Sequence, residues 1–322
     1  MIPENIKKIL SNEDKKVATR KAYGERLAEL GEKNKNIVAL DCDLSKSTMT
    51  ALFARKFPDR FFNFGIAESN MISAAAGLST MGKIPFASTF AVFASKRACD
   101  QVSISVAYPH LNVKICATHS GVSIGEDGAT HQAIIDAAIM RAMPGMVVLS
   151  PCDGTETKKV IDRIAEYKGP CYVRLCRVAS PVIFNESYNF EIGKGIKIME
   201  GSSATIISAG FTTHIAMQAA RKLEEDGIEV DLINMVSIKP IDSKLIIESA
   251  KKTGLVITVE DHSVIGGLGG AVCEVLSCNM PTKVVRLGVQ DKFGSSGSPS
   301  ELVSAYGFDA ASIIKTVKEN IC

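Results

Sequence analysis

The chain has 322 residues, 46% of them hydrophobic, and a formal net charge of +2. That length exceeds one ordinary core and predicts two domains, while the near-balanced charge, with no single-sign block, argues against a nucleic-acid or membrane surface. The nine cysteines are scattered without a Cys-x-x-Cys pair, which speaks against a zinc or thioredoxin-like motif and fits reduced thiols in a cytoplasmic protein.

In chain order, the polar and charged start "MIPENIKKILSNEDKK" reads neither as a signal peptide nor as part of a membrane span. Apolar, β-rich runs then occur at 36–44, 83–89, 112–119, 145–151 and 170–177. Helical patterns lie between them, including Phe90 to Ala107 and Gln132 to Ala142. Such alternation predicts a parallel sheet with helices on both faces. Turn formers dominate 178–195, after which the pattern restarts. Strands are predicted at 204–210, 228–235, 254–261 and 282–289. Helices are predicted from Thr212 to Asp226, near Asp242 to Lys252, and after Gly266. The expected fold is α/β with two domains, 1–190 and 191–322.

Parallel sheets bind ligands at the carboxyl ends of their strands. Three polar clusters fall there: Asp41 to Ser47, His119 with the following "SGVSIGEDGATHQ", and Arg177. Taken singly, Asp43 or Ser47 is better explained as a helix cap; together on one edge the clusters favour a site. The loop after His119 is the strongest signal. Gly121, Gly125 and Gly128 permit tight turns, and Glu126, Asp127, His119 and His131 suit proton transfer and hydroxyl recognition. The plainer alternative is an Asp-Gly turn followed by a helix that His131 opens. Phe90 and Phe93 share a helical face, which usually means core packing. Glu68, in "FNFGIAESNM", makes them more interesting. It stands at the mouth of the small, apolar run "ISAAAGLSTMG", where an unpaired carboxylate is costly and calls for a partner. "IGGLGG" at 265–270 lacks the spacing of a phosphate loop and reads as close helix–strand packing.

With these motifs assembled, the chain resembles the C-terminal half of transketolase from "VATRKAYGERL" onward. The likeness is densest at "ALDCDLSKST", "FNFGIAESNM", "PFASTFAVF", "GVSIGEDGATHQ", "YVRLCR" and "ITVEDH". It implies a doubly wound, pyrimidine-binding domain for thiamine diphosphate, followed by a smaller C-terminal α/β domain. The family's diphosphate-binding module, with its Gly-Asp-Gly motif, has no counterpart: "CDGT" at 152–155 lacks the first glycine. The resemblance therefore implies the C-terminal subunit of a split transketolase. An N-terminal subunit would hold the diphosphate and a divalent metal (Mg or Ca), with no metal ligands supplied by this chain.

Site roles follow from the same resemblance. Glu68 is implied to bond a ring nitrogen of the cofactor's aminopyrimidine, with Phe90, Phe93 and Asp43 completing the cofactor site. His131 is implied in proton transfer. Arg20, Ser47, His119, Asp127, His131 and Arg177 are implied to bind the sugar phosphate, and guanidinium groups suit phosphate. Ala67 and Ser69 depart from the Arg and His that many relatives carry around the glutamate. "ASKRACDQ" is one residue longer than in some relatives, so no role is carried over to Arg97. The C-terminal domain is expected to serve dimerisation and scaffolding. Two copies of this chain are expected at the centre of a heterotetramer with two active sites. Competing readings are the beta subunit of a 2-oxoacid dehydrogenase, a deoxyxylulose-phosphate-synthase-like enzyme, and a non-catalytic homologue. "GEDGATHQ" with Arg20, Ser47 and Arg177 favours ketol transfer between sugar phosphates over the dehydrogenase subunit. Joint retention of Glu68, Asp127 and His131 argues against a relic.

Overall fold

The computed structural model describes residues 1–11 and 14–321. A short helix α1 (Glu4–Lys7) leads to strand β1 (Lys16–Ala18) and helix α2 (Thr19–Lys33). Strand β2 (Ile37–Asp41) is buried at every residue, as a parallel strand covered on both faces must be. Helices α3 (Ser45–Thr48) and α4 (Ala51–Lys56) precede strand β3 (Phe61–Asn63). Then come α5 (Glu68–Thr80), β4 (Ile84–Phe90), α6 (Ala91–Lys96), β5 (Lys114–Thr118) and α7 (Asp136–Ala142). Strand β6 (Val147–Leu149), helix α8 (Gly154–Glu166), β7 (Cys171–Arg174) and β8 (Ala179–Pro181) end the first half. The Asp153 carboxylate caps α8 by accepting from the amide of Glu156.

The second half runs β9 (Ile196–Met199), β10 (Ala204–Ser208), α9 (Thr212–Glu225), β11 (Val230–Asn234) and β12 (Ser237–Lys239). Helix α10 (Ser243–Thr253) follows, capped by Asp242 and ended by Gly254 in the left-handed conformation. Then come β13 (Leu255–Ser263), α11 (Leu268–Asn279), β14 (Lys283–Val289), α12 (Pro299–Ala305) and α13 (Ala310–Asn320). Among the described residues no helix is long and apolar enough to cross a membrane.

Two main sheets result. The first has the order β12-β6-β7-β5-β4-β2-β3, and the second β14-β13-β10-β11-β9. Each is parallel except for one antiparallel edge strand, β12 in the first and β9 in the second. The fold is thus mixed α/β with two parallel-sheet bodies. A strand from the second half of the sequence completes the sheet of the first. Strand β1 pairs with β8 in a small separate ribbon.

The structure departs from the sequence reading in several places. The helix expected from Phe90 to Ala107 is broken. Phe90 ends β4, paired with Thr118; α6 stops at Lys96, and a π-helical segment runs from Gln101 to Ala107. The helix expected from Gln132 starts only at Asp136, because the Ala133 carbonyl accepts from the amide of Gly121. Strands β1, β3, β8, β9 and β12 were not predicted.

Candidate active site

The carboxyl ends of β2, β4, β5 and β7 lie side by side in the first sheet, and the polar clusters follow them. Asp41, at the end of β2, is buried. It accepts from the hydroxyls of Thr48 and Thr50 and from the amide of Leu44, which folds the chain into α3. That fold presents the Ser47 carbonyl to Arg20, whose Nη1 donates to it at 2.7 Å. The same Nη1 lies 3.5 Å from Nε2 of His119. Guanidinium has no acceptor, so Nε2 is the acceptor and the ring proton sits on Nδ1, 2.8 Å from the Thr118 hydroxyl. Burial, then the charges of Arg20, Arg177 and His131, push the His119 pKa down to about 3, so this imidazole is neutral near pH 7.

His119 has positive φ, 61°, which turns its ring onto the face of Phe90 at 3.8 Å between centroids. Phe90 and Phe93 are nearly parallel, 10° apart, with centroids at 5.7 Å. His131 stands edge-on to Phe93 at 5.5 Å, its Nδ1 2.9 Å from the Thr130 hydroxyl. Two histidines therefore flank one aromatic wall. Arg177 donates to the Ile124 carbonyl at 2.7 Å and lies 3.7 Å from the Asp127 carboxylate. Both are part-exposed, so this pair is easily exchanged for an incoming anion.

Glu68 is the first residue of α5 and is only 3% exposed. Its partner is Arg97, which donates from Nη1 to Oε1 at 3.0 Å. The Arg97 guanidinium also lies 4.0 Å above the ring of Phe93, and its carbonyl accepts from the Ser69 hydroxyl at 2.7 Å. A flat, N–H-bearing cation thus lies at once on the aromatic face and on the buried carboxylate. The pair accepts a planar nitrogen heterocycle by the same two contacts, so an aminopyrimidine fits these residues. Arg97 is the functional candidate that sequence reasoning left unassigned. The Ser69 position, noted only as a departure, turns out to hold its backbone.

Asp43 stands apart from this group. Its backbone has φ 61°, its amide donates to the Asn63 side chain, and Asn63 reaches back to its carboxylate at 3.5 Å. Arg20, Ser47, His119, Phe90, Phe93 and His131 are linked by successive contacts, and Glu68 joins them through Arg97. Arg177 and Asp127 form a neighbouring pair, and the Arg177 charge acts on His119.

A second set of groups was missed because it spans both halves of the chain. Arg174 on β7 pairs with buried Asp136 through Nε at 2.8 Å and Nη2 at 3.0 Å, and the Tyr172 hydroxyl donates to the same carboxylate. Arg174 Nη2 also donates to the Asp261 carbonyl. His262, neutral because burial drives its pKa down to about 4, accepts from the amide of Ala138 at 3.4 Å. Glu260 accepts from the amides of Leu268 and Gly269 and so fills the amino end of α11. This explains "IGGLGG": a side chain on Gly267 would meet the Glu260 carboxylate at 2.0 Å. The glycines serve close packing, as the sequence reading had it.

The family profile described as Transketolase, pyrimidine binding domain, matches residues 15–181, and the profile Transketolase, C-terminal domain, matches 193–313. The chain belongs to the transketolase family and carries those two of its domains. A Methanocaldococcus jannaschii protein provisionally named a transketolase C-terminal section is 53% identical over 94% of this chain and 96% of that protein. Human transketolase is 39% identical over 94% of this chain, which spans only 49% of the human protein. A solved split-gene transketolase, described as an inactive β4 tetramer, superposes with a TM-score of 0.86 at 50% identity, covering 94% of this chain and 97% of that one.

Proposed function

We propose that this chain is the C-terminal subunit of a thiamine-diphosphate-dependent transketolase. It moves a two-carbon ketol unit from a ketose phosphate to an aldose phosphate once an N-terminal subunit supplies the diphosphate and metal site. The observation that carries this reading is the buried Glu68 carboxylate, joined through Arg97 to the Phe90–Phe93 wall.

When bound, thiamine diphosphate supplies an electron sink for the two-carbon unit. Glu68, only 3% exposed, would be the residue to bond a ring nitrogen of the aminopyrimidine and exchange a proton with it. Phe90 and Phe93 would offer that ring an aromatic wall. Asp127 and His131 meet the sugar's hydroxyls, with His131 available for proton transfer. Arg20, Ser47 and Arg177 receive the phosphate end, and neutral His119 serves there as a hydrogen-bonding group rather than a charge.

Two facts support a multi-chain assembly. A relative of nearly this length is described as inactive when it forms a tetramer of its own kind. In this chain, Ile66 just before α5, Ile104 in the π-helical segment and Tyr108 just after it are exposed, at 77%, 60% and 86%. Exposed apolar groups there favour self-association of two copies, each engaging one N-terminal subunit. Co-expression with a transketolase N-terminal section, followed by an assay with xylulose 5-phosphate and ribose 5-phosphate, tests the reading. Ketol transfer by the complex and none by the chain alone is expected. Sedimentation should give a heterotetramer, and a fully active one-to-one heterodimer would refute that assembly.

A further inference from the structure

The C-terminal domain does more than brace the first. The Asp261 carboxylate, at the end of β13, is buried and reaches across to the glycine-rich loop. It accepts from the amides of Val122 at 2.7 Å and Ser123 at 3.2 Å. Gly121, with φ 78°, makes room for it: a Cβ there would stand 2.1 Å from the Asp261 carboxyl carbon. At the far end of the loop, buried Gln132 donates to the Ser295 carbonyl at 2.9 Å. Midway, the missing side chain of Gly128 faces the Ser296 hydroxyl, 2.6 Å from where its Cβ would lie. Residues 121–132 are thus fastened at both ends to the C-terminal domain, and Asp127 and His131 lie between the fastenings.

We propose that Asp261 is a positioning residue for ketol transfer: it fixes the course of residues 121–132 and so the place where Asp127 and His131 meet the donor sugar. This rests on the transketolase reading above. An ionised carboxylate offers an acceptor oxygen to each of two neighbouring amides, and charge-assisted bonds of this kind are about twice as strong as neutral ones. Asparagine keeps the shape but turns an NH2 group toward one of the two amides, so one fastening is lost.

The test is Asp261→Asn, with Glu260→Gln as the matched control, since Glu260 caps α11 and does not touch the loop. Amide exchange at Val122 and Ser123, read on the chain alone, should speed up about tenfold in Asp261→Asn and stay unchanged in the control. In the complex, KM for xylulose 5-phosphate should rise about tenfold, on the scale of one lost charge-assisted bond, with the dissociation constant of thiamine diphosphate unmoved. Faster exchange with an unchanged donor KM would overturn the proposal. So would a parallel rise in donor KM and cofactor dissociation constant, the mark of general disruption. If Asp261→Asn does not fold, Gln132→Met releases the other end of the same loop and takes the same readouts with the same outcomes. Absence of ketol transfer in the wild-type complex would count against the transketolase reading itself. The exchange measurement still decides the hold of Asp261 on the loop, and unchanged exchange would refute it.

Discussion

The two sheets end alike and use their carboxylates differently. At the carboxyl end of the second sheet, Glu260 and Asp261 each accept two backbone amides, and both are enclosed within the chain. At the carboxyl end of the first, Glu68 is as deeply buried yet meets one flexible arginine, and Asp127 meets another at the surface. A carboxylate satisfied by backbone is committed to architecture. One satisfied by a side chain that can swing away is available to a ligand. Burial alone does not separate the two; the nature of the partner does.

The strongest way to break this contrast is Glu68→Gln. It keeps shape and hydrogen bonding but cannot take up or release a proton, so turnover of the assembled enzyme should fall on the order of 100-fold or more while its melting temperature barely moves. Near-normal turnover would place Glu68 with the architectural carboxylates. Arg20→Ala and Arg177→Ala should each weaken phosphorylated substrates by about 1.5–3 kcal/mol and unphosphorylated ones less, as steady-state KM values would show. Equal losses on both substrates would mean the arginines serve the fold. In the second sheet, Glu260→Gln should do the reverse of Glu68→Gln. It should cost about 1–2 kcal/mol of stability in denaturant melts, with kcat unchanged. Arg97→Ala should cost about 1–3 kcal/mol of stability in circular dichroism melts, because it leaves the Glu68 carboxylate, only 3% exposed, without its partner.

A separate effect, graded with pH, is expected to have opposite signs in the two regions. His119 has a folded pKa of about 3 against an ordinary 6.5, so between those values the unfolded chain binds the extra proton. Its contribution makes stability fall as pH drops from about 6.5 toward 3. Glu260 is raised by burial to about 7, so the folded chain binds the extra proton between about 4.5 and 7. Its contribution makes stability fall as pH rises through that window. Denaturation midpoints of His119→Asn and Glu260→Gln across pH 4–7.5 should therefore change slope in opposite directions.

Much of the fold was legible because buried parallel strands are short, mostly apolar runs, and "IVAL" and "LVITV" show themselves as such. Strands β3 and β12 were not legible. Each is three residues long and lies at a sheet edge, where pairing rather than composition defines it. The break after Lys96 falls inside the polar run "SKRACDQ", where no glycine or proline marks it. At the site, Glu68, the phenylalanines and the glycine-rich loop were readable as local motifs. Arg97 and Asp261 were not, since each acquires its meaning from an element far away in sequence, 29 residues off for Arg97 and 139 for the Asp261–Val122 bond.

Strand β12 has a consequence for how this protein can be taken apart. It lies beyond the start of the C-terminal profile at residue 193, yet it pairs with β6 and closes one edge of the first sheet. A chain cut between the two profiles would leave β6 as a raw border of unpaired amides and carbonyls, a template for indiscriminate strand addition. Exchange of halves between relatives would have to carry residues 237–239 along with the first half, or graft a substitute hem. What is a unit of inheritance at 193 is not a unit of self-assembly.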